Sequence, residues 1–161
     1  MTDDPDDTDI DGRLRRLEDI EEIRRLKVRY FEACDGGFDA IPSHVPEEIA
    51  GTFAAEGEWD GGPFGKRVGP GAIADFYREV PQTLAFTVLS EPAIDVDGDR
   101  GTGRWNLIVY SQHGDTARLT GGVHHDEYVR TVDGWRIART RYASAIQMIS
   151  PNAWSQPTEA G

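Results

Sequence analysis

From Arg13 to Ala33, apolar side chains recur at spacings of three and four: Leu14, Leu17, Ile20, Ile23, Leu26 and Tyr30, with Cys34 just beyond. This is the period of one helical face. A helix of that length must bury its stripe against something, and the remainder of the chain has to supply that surface. Asp35-Gly36-Gly37 stops the helix, glycine being the usual residue just past a helix end. Shorter helices are predicted over Pro46–Phe53 and after the Gly69–Gly71 turn, the latter with Ile73, Phe76 and Tyr77 on one side. Between them Glu56–Asp60 and Lys66–Val68 read as strands around the turn GGPFG.

The second half is β-rich. Strands are expected over Thr83–Leu89, Ala93–Val96, Gly103–Tyr110, Ala117–Thr131 and Trp135–Tyr142, with a turn at Asp97-Gly98-Asp99 and a hairpin at Asp133-Gly134. Helices succeeded by a meander of long strands make an α+β domain, with helices on one face of a largely antiparallel sheet. A strongly bent sheet of that kind encloses a cone-shaped hollow. No internal repeat is visible.

Half of the net charge of −12 comes from six aspartates among the first eleven residues. Residues 1–12 therefore read as an unstructured acidic tail, 13–149 as one domain, and 150–161, without periodicity, as a second tail. The acidity argues against nucleic acid or an anionic membrane as partner. Cys34 is the single cysteine. With no internal disulfide, no secretory signal and no membrane-length apolar run, the expected location is the cytoplasm.

The helix ending YFEACDGG, then GEWDGG, GPGAIADFY, VDGDRGTGRW and GGVHHDEYVRTVDGWRI, from about Leu14 to Pro151, resembles the SnoaL-like branch of the nuclear transport factor 2-like superfamily. Within it the chain is most similar to the bile acid 7α-dehydratase and scytalone dehydratase group, which also includes hexachlorocyclohexane dehydrochlorinase. The resemblance implies a cystatin-like cone, helices on a curved mixed sheet around an internal pocket. It also implies dimers or trimers. The family's dehydratases use a tyrosine and an aspartate at the end of the first helix, which fall on Tyr30 and Asp35. Their histidine, counted back from Pro92, falls on Thr87. An arginine that one member places on the last strand falls on Ser144 by an ungapped count from Trp135.

Asp35 is the candidate general base, desolvated at a helix end, or else a helix cap. Tyr30 would hydrogen-bond a carbonyl or leaving-group oxygen, or serve as a core aromatic. Thr120, Gly122, His124, Asp126 and Tyr128 share a strand face. His124 is expected to point inward and His125 outward, and His124 could stand in for the histidine absent at Thr87, or else be a buried neutral histidine satisfied by a backbone carbonyl. Trp59, Phe64, Trp105 and Leu107 are candidates for an apolar lining. Arg139 and Arg141, by alternation on the face of Trp135 and Ile137, could bind a carboxylate or an enolate if inward, or else are solvated arginines at the sheet edge. His44 and His113 fall in loops and are expected to be solvated. Adjacent histidines cannot chelate one ion from a shared face, and no other ligand spacing supports a metal site.

The expected function is a cofactor-free lyase or isomerase, dehydratase-like, acting on a small hydrophobic cyclic, polyketide, terpenoid or steroid-like compound. The alternatives are a polyketide cyclase, or a non-catalytic ligand-binding or oligomerisation module of the same fold.

Overall fold

The computed structural model describes residues 7–35, 44–80, 84–90 and 92–152. Helix α1 runs Asp7–Asp35, succeeded by α2 (Pro46–Gly51), strand β1 (Phe53–Asp60), a 3-10 turn (Gly62–Phe64), β2 (Lys66–Val68) and α3 (Pro70–Glu79). Then come β3 (Leu84–Leu89), β4 (Ala93–Asp97), β5 (Arg100–His113), β6 (Thr116–Thr131) and β7 (Gly134–Ser150). Helix α1 therefore begins inside the segment read from sequence as a tail, and β7 runs well past Tyr142.

The sheet has seven strands in the order β2-β1-β7-β6-β5-β3, with β4 pairing the first half of β5 and β3 its second half. Among the described strands only β1 and β7 pair in parallel, so the sheet is mixed. Helices pack on one face, which we call inner. The core there is built from Ile23, Leu26 and Tyr30 of α1, Ile49, Phe53, Ile73, Tyr77, and Tyr128, Trp135 and Ile137 of the last hairpin.

Two features depart from simple periodicity. The stripe of α1 is buried only from Asp19 onward, while Leu14 and Leu17 are 53% and 63% exposed. Asp19 ends the exposed stretch by accepting hydrogen bonds from Arg130 (2.6 Å) and the Trp135 indole (3.1 Å), which clamps α1 to the last hairpin. In β7, Ile137 pairs with Tyr128 but Arg139 pairs with Glu127, so Ala138 is an extra residue. Such a bulge reverses the alternation beyond it. Thr140 consequently points inward, and Arg139 and Arg141 lie on the outer face, opposite Trp135 and Ile137. Among the described residues, no helix is long and apolar enough to cross a membrane.

Candidate active site

The inner face of α1 sets out the site. Lys27, Phe31 and Asp35 stand at four-residue intervals, hence in one line along the helix spanning about 12 Å. Lys27 and Asp35 are buried, whereas Phe31 between them stays partly accessible.

Asp35 is 6% exposed. Its carboxyl accepts hydrogen bonds from the side chain and backbone of Thr87 on β3, and no cation is among the groups that act on it. Burial pushes it up to about 6 against the two Thr87 bonds, which pull the other way. Thr87, the position at which the resemblance calls for histidine, thus touches the candidate base directly, as a hydroxyl and an amide.

Tyr30 belongs to a different cluster. Its hydroxyl receives the Trp59 indole N–H (3.0 Å) and shares a hydrogen bond with the Tyr77 hydroxyl (3.1 Å), while the Cys34 thiol lies 3.7 Å from Tyr77. Burial raises both phenols well above their ordinary range and pushes the Cys34 thiol up to about 12. All are neutral hydrogen-bonding groups at physiological pH. His44 is half-buried with its ring 6.0 Å from that of Tyr77, so it is not the solvated loop residue expected. The His113 side chain lies outside the described residues.

The third cluster lies under Lys27. Cross-strand register sets Gly103, Asp126, Thr140 and Trp59 in one row and Trp105, His124 and Tyr142 in the next. His124 does face inward, with His125 exposed on the other side. The Lys27 ammonium, fully buried, lies 2.6 Å from Asp126 Oδ2 and 3.0 Å from His124 Nδ1. Asp126 also accepts the hydroxyls of Tyr128 (2.6 Å) and Thr140 (2.6 Å), and Tyr128 in turn receives the Trp105 indole N–H (3.0 Å). Burial lowers Lys27, opposed by Asp126. Burial first, then the Lys27 charge, drives His124 well below its ordinary value, so the ring is neutral. The rings of Phe31 (5.3 Å) and Tyr142 (5.5 Å) flank it.

Trp59, Trp105 and Leu107, the candidates for an apolar lining, are buried on the inner face. Gly122 is a close approach of the backbone: a Cβ there would sit 2.6 Å from the Tyr142 ring and 2.5 Å from the Ala143 carbonyl. Phe64 is not a lining residue. It stands 64% exposed on the 3-10 turn. Arg141 is exposed on the outer face, where with Arg104, His125 and Arg139, opposed by Asp95 and Glu127, it borders a groove of about 550 Å³ across the sheet from Asp35. Ser144 is exposed and supplies no cation to the site. Among the described residues, no three His, Cys, Asp or Glu side chains are grouped to hold a metal.

A family model of the SnoaL-like domain matches residues 15–141. The chain belongs to this family. Among solved structures it is similar to a type 2 hexachlorocyclohexane dehydrochlorinase (TM-score 0.79, 16% identity, covering 89% of this chain and 97% of that one). It is also similar to a nuclear transport factor 2-like protein with a cystatin-like fold from Novosphingobium aromaticivorans (0.69, 28%, 89% and 92%). A proposed scytalone dehydratase from the same organism matches at 0.71 and 17%, covering 82% and 87%. Helices packed on a mixed seven-stranded sheet are therefore a cystatin-like, SnoaL-type fold shared with a dehydrochlorinase and a dehydratase-type protein.

Lys27 was missed by sequence reasoning, because a lysine on a helix is by default solvated. Its position did carry a signal: with Ile23, Tyr30 and Cys34 it completes the buried three-and-four spacing.

Proposed function

We propose that this protein is a cofactor-free lyase or isomerase in which Asp35 abstracts a proton from a hydrophobic cyclic substrate lying over Phe31. The observation that supports this best is the contrast between two buried carboxylates. Asp126 is saturated by an ammonium and two hydroxyls. Among the described residues Asp35 is hydrogen-bonded by Thr87 and met by no cation, and burial raises its proton affinity towards neutrality, which is the environment of a general base. Structural neighbours bear the names of a dehydrochlorinase and a scytalone dehydratase, and loss of HCl or water from carbon requires removal of a carbon-bound proton. The substrate class is argued from the surroundings: Phe31 and Tyr142 offer apolar faces, and the two-turn separation of Asp35 from Lys27 and its partner His124 suits a ring system better than a small acid. Trp59 and Trp105 close the apolar interior behind it.

The second reading, a non-catalytic binder of the same ligands, is favoured by one observation: Tyr30 is already satisfied by Trp59 and Tyr77, so it need not wait for a substrate oxygen.

Proton exchange separates the two. Hydrophobic cyclic hydroxy-ketones incubated with the protein in deuterated water should exchange a carbon-bound proton, read by NMR, and Asp35→Asn should slow that exchange about 10²–10⁴-fold. Binding without exchange, or exchange equal in the variant, would remove Asp35 as the base. Native mass spectrometry of freshly purified protein would identify any retained ligand.

A further inference from the structure

We propose that Lys27 is a positioning residue that locks His124 in its neutral Nε2–H tautomer, so that His124 serves the site as an uncharged hydrogen-bond donor to a substrate oxygen. This rests on the reading of Asp35 as base and adds the group that receives the charge which proton removal creates.

The argument is one of hydrogen counting. A threonine hydroxyl has one proton, and Thr140 directs it to Asp126 at 2.6 Å. Thr140 therefore has none for His124 Nδ1, although the two atoms are 3.0 Å apart. The other neighbour of Nδ1 is the Lys27 ammonium at 3.0 Å, which only donates. Asp126, 2.6 Å away, keeps the proton on Lys27. The Thr140 oxygen is able to accept a proton from Nδ1, but that proton would be pressed against the ammonium 3.0 Å away, so Nδ1 is the acceptor and the single ring proton resides on Nε2. The groups around the ring from each packed element agree: Lys27, Tyr30 and Phe31 from α1, Trp105 from β5, Thr140 and Tyr142 from β7, and Asp126 and, on the opposite face, His125 from its own strand. The one carboxylate among them is 3.9 Å from Nδ1 and already occupied by three donors, so it does not draw a second proton onto the ring.

Both polar contacts fall on Nδ1, so Nε2 is on the ring edge turned away from the Lys27–Asp126 cluster, and the rings of Phe31 and Tyr142 flank the imidazole. In the reaction, the C–H electron pair moves into the substrate as Asp35 takes the proton. The developing oxyanion accepts the Nε2–H hydrogen bond, and no proton leaves the imidazole. Asp35 then returns its proton to carbon in an isomerisation, or to the departing hydroxyl, which leaves as water, in a dehydration. A donor that stays neutral gives up none of its strength to desolvation of a charge.

The test is spectroscopic. In wild-type protein labelled with ¹⁵N-histidine, long-range ¹H–¹⁵N correlation, assigned with His124→Gln, should show His124 with a proton on Nε2 only, and no imidazolium down to about pH 5, since the ordinary value is near 6.5. A proton on Nδ1, or a charged ring at pH 6–7, overturns the proposal. Lys27→Met should move the proton to Nδ1, facing Thr140, and unchanged tautomer in a folded variant also overturns it. Should Lys27→Met not fold, 2-naphthol serves as an oxyanion-type probe for the remaining variants. Its affinity should fall about tenfold in His124→Phe and return to within threefold in His124→Gln, whose amide can still donate, and equal loss in both sinks the idea. These readouts do not involve Asp35. Failure of proton exchange to depend on Asp35 would end the catalytic reading and leave the tautomer result standing, and the reverse also holds.

Discussion

Asp35→Asn tests the electrostatics of the site through stability alone, before any substrate is known. The carboxyl goes from an ordinary 3.8 to about 6 in the folded protein because it is buried without a cation. At about 1.4 kcal/mol per tenfold change in proton affinity, ionised Asp35 costs the fold roughly 3 kcal/mol relative to the unfolded chain. Well below pH 3.8 the group is protonated in both states and the cost is absent. As pH rises from 4 to 6 the unfolded chain loses the proton while the native state keeps it, and the cost grows. Above about pH 7 both states are ionised and it is complete. Wild-type stability is therefore lost as pH rises through this window, and Asn, which never ionises, does not share that loss. Urea unfolding of both proteins at half-unit steps from pH 4 to pH 8 should give curves whose separation opens towards about 3 kcal/mol in favour of the variant and then stays constant. All other titrating groups are common to the two proteins and cancel. Parallel curves, or a variant that is less stable at pH 8 than at pH 4 relative to wild type, would show that Asp35 is not the desolvated carboxylate its surroundings indicate.

Asp126→Ala should cost about 3–5 kcal/mol in urea unfolding, because it leaves Lys27 charged and buried with no counter-ion, whereas replacing Lys27 and Asp126 together by Met and Leu should recover most of that loss; a single variant that unfolds like wild type would refute the pairing. Gly122→Ala should lower stability by about 1–3 kcal/mol, since the new Cβ meets the Ala143 carbonyl and the Tyr142 ring, and a melting temperature within a degree of wild type would show that β7 yields there. We also propose that the chain self-associates through the outer face of the sheet, where Val88, Ile108 and Ile146 are exposed on neighbouring strands. Sedimentation equilibrium should show a dimer or trimer that Ile108→Asp dissociates, and a monomeric wild type at micromolar concentration would end that idea.

The two periodicities made most of the fold legible. The stripe from Ile23 to Cys34 and the alternation of His124, Asp126 and Tyr128 against His125 and Glu127 each occur in the structure as read. What periodicity cannot report is where the opposing surface ends, and so Leu14 and Leu17 continue the stripe in sequence while standing in solvent. Phe64 misled for a related reason: an aromatic in a GGPFG turn has no periodic neighbours to say which way it points. In the site, Asp35 was visible because a carboxylate at a helix end is conspicuous. The Lys27–Asp126–His124 cluster was not, because its members come from residues 27, 124, 126 and 140. Lys27 falls on the buried three-and-four spacing of α1, but no spacing within the chain says that it meets Asp126.

The extra residue at Ala138 also sets what the last strand can tolerate. Substitutions along β7 change one side chain at a time, but deleting Ala138 would exchange every side chain beyond it between the two faces. Thr140 and Tyr142 would leave His124 and Asp126, and Arg139 and Arg141 would turn in beneath α1, bringing two guanidinium groups to the side of the sheet that already holds the Lys27 ammonium. Loss of this single alanine should therefore be more damaging than removal of any one catalytic candidate. For the same reason, positions on this strand are comparable between relatives by the residue they face across the sheet and not by their distance along the chain.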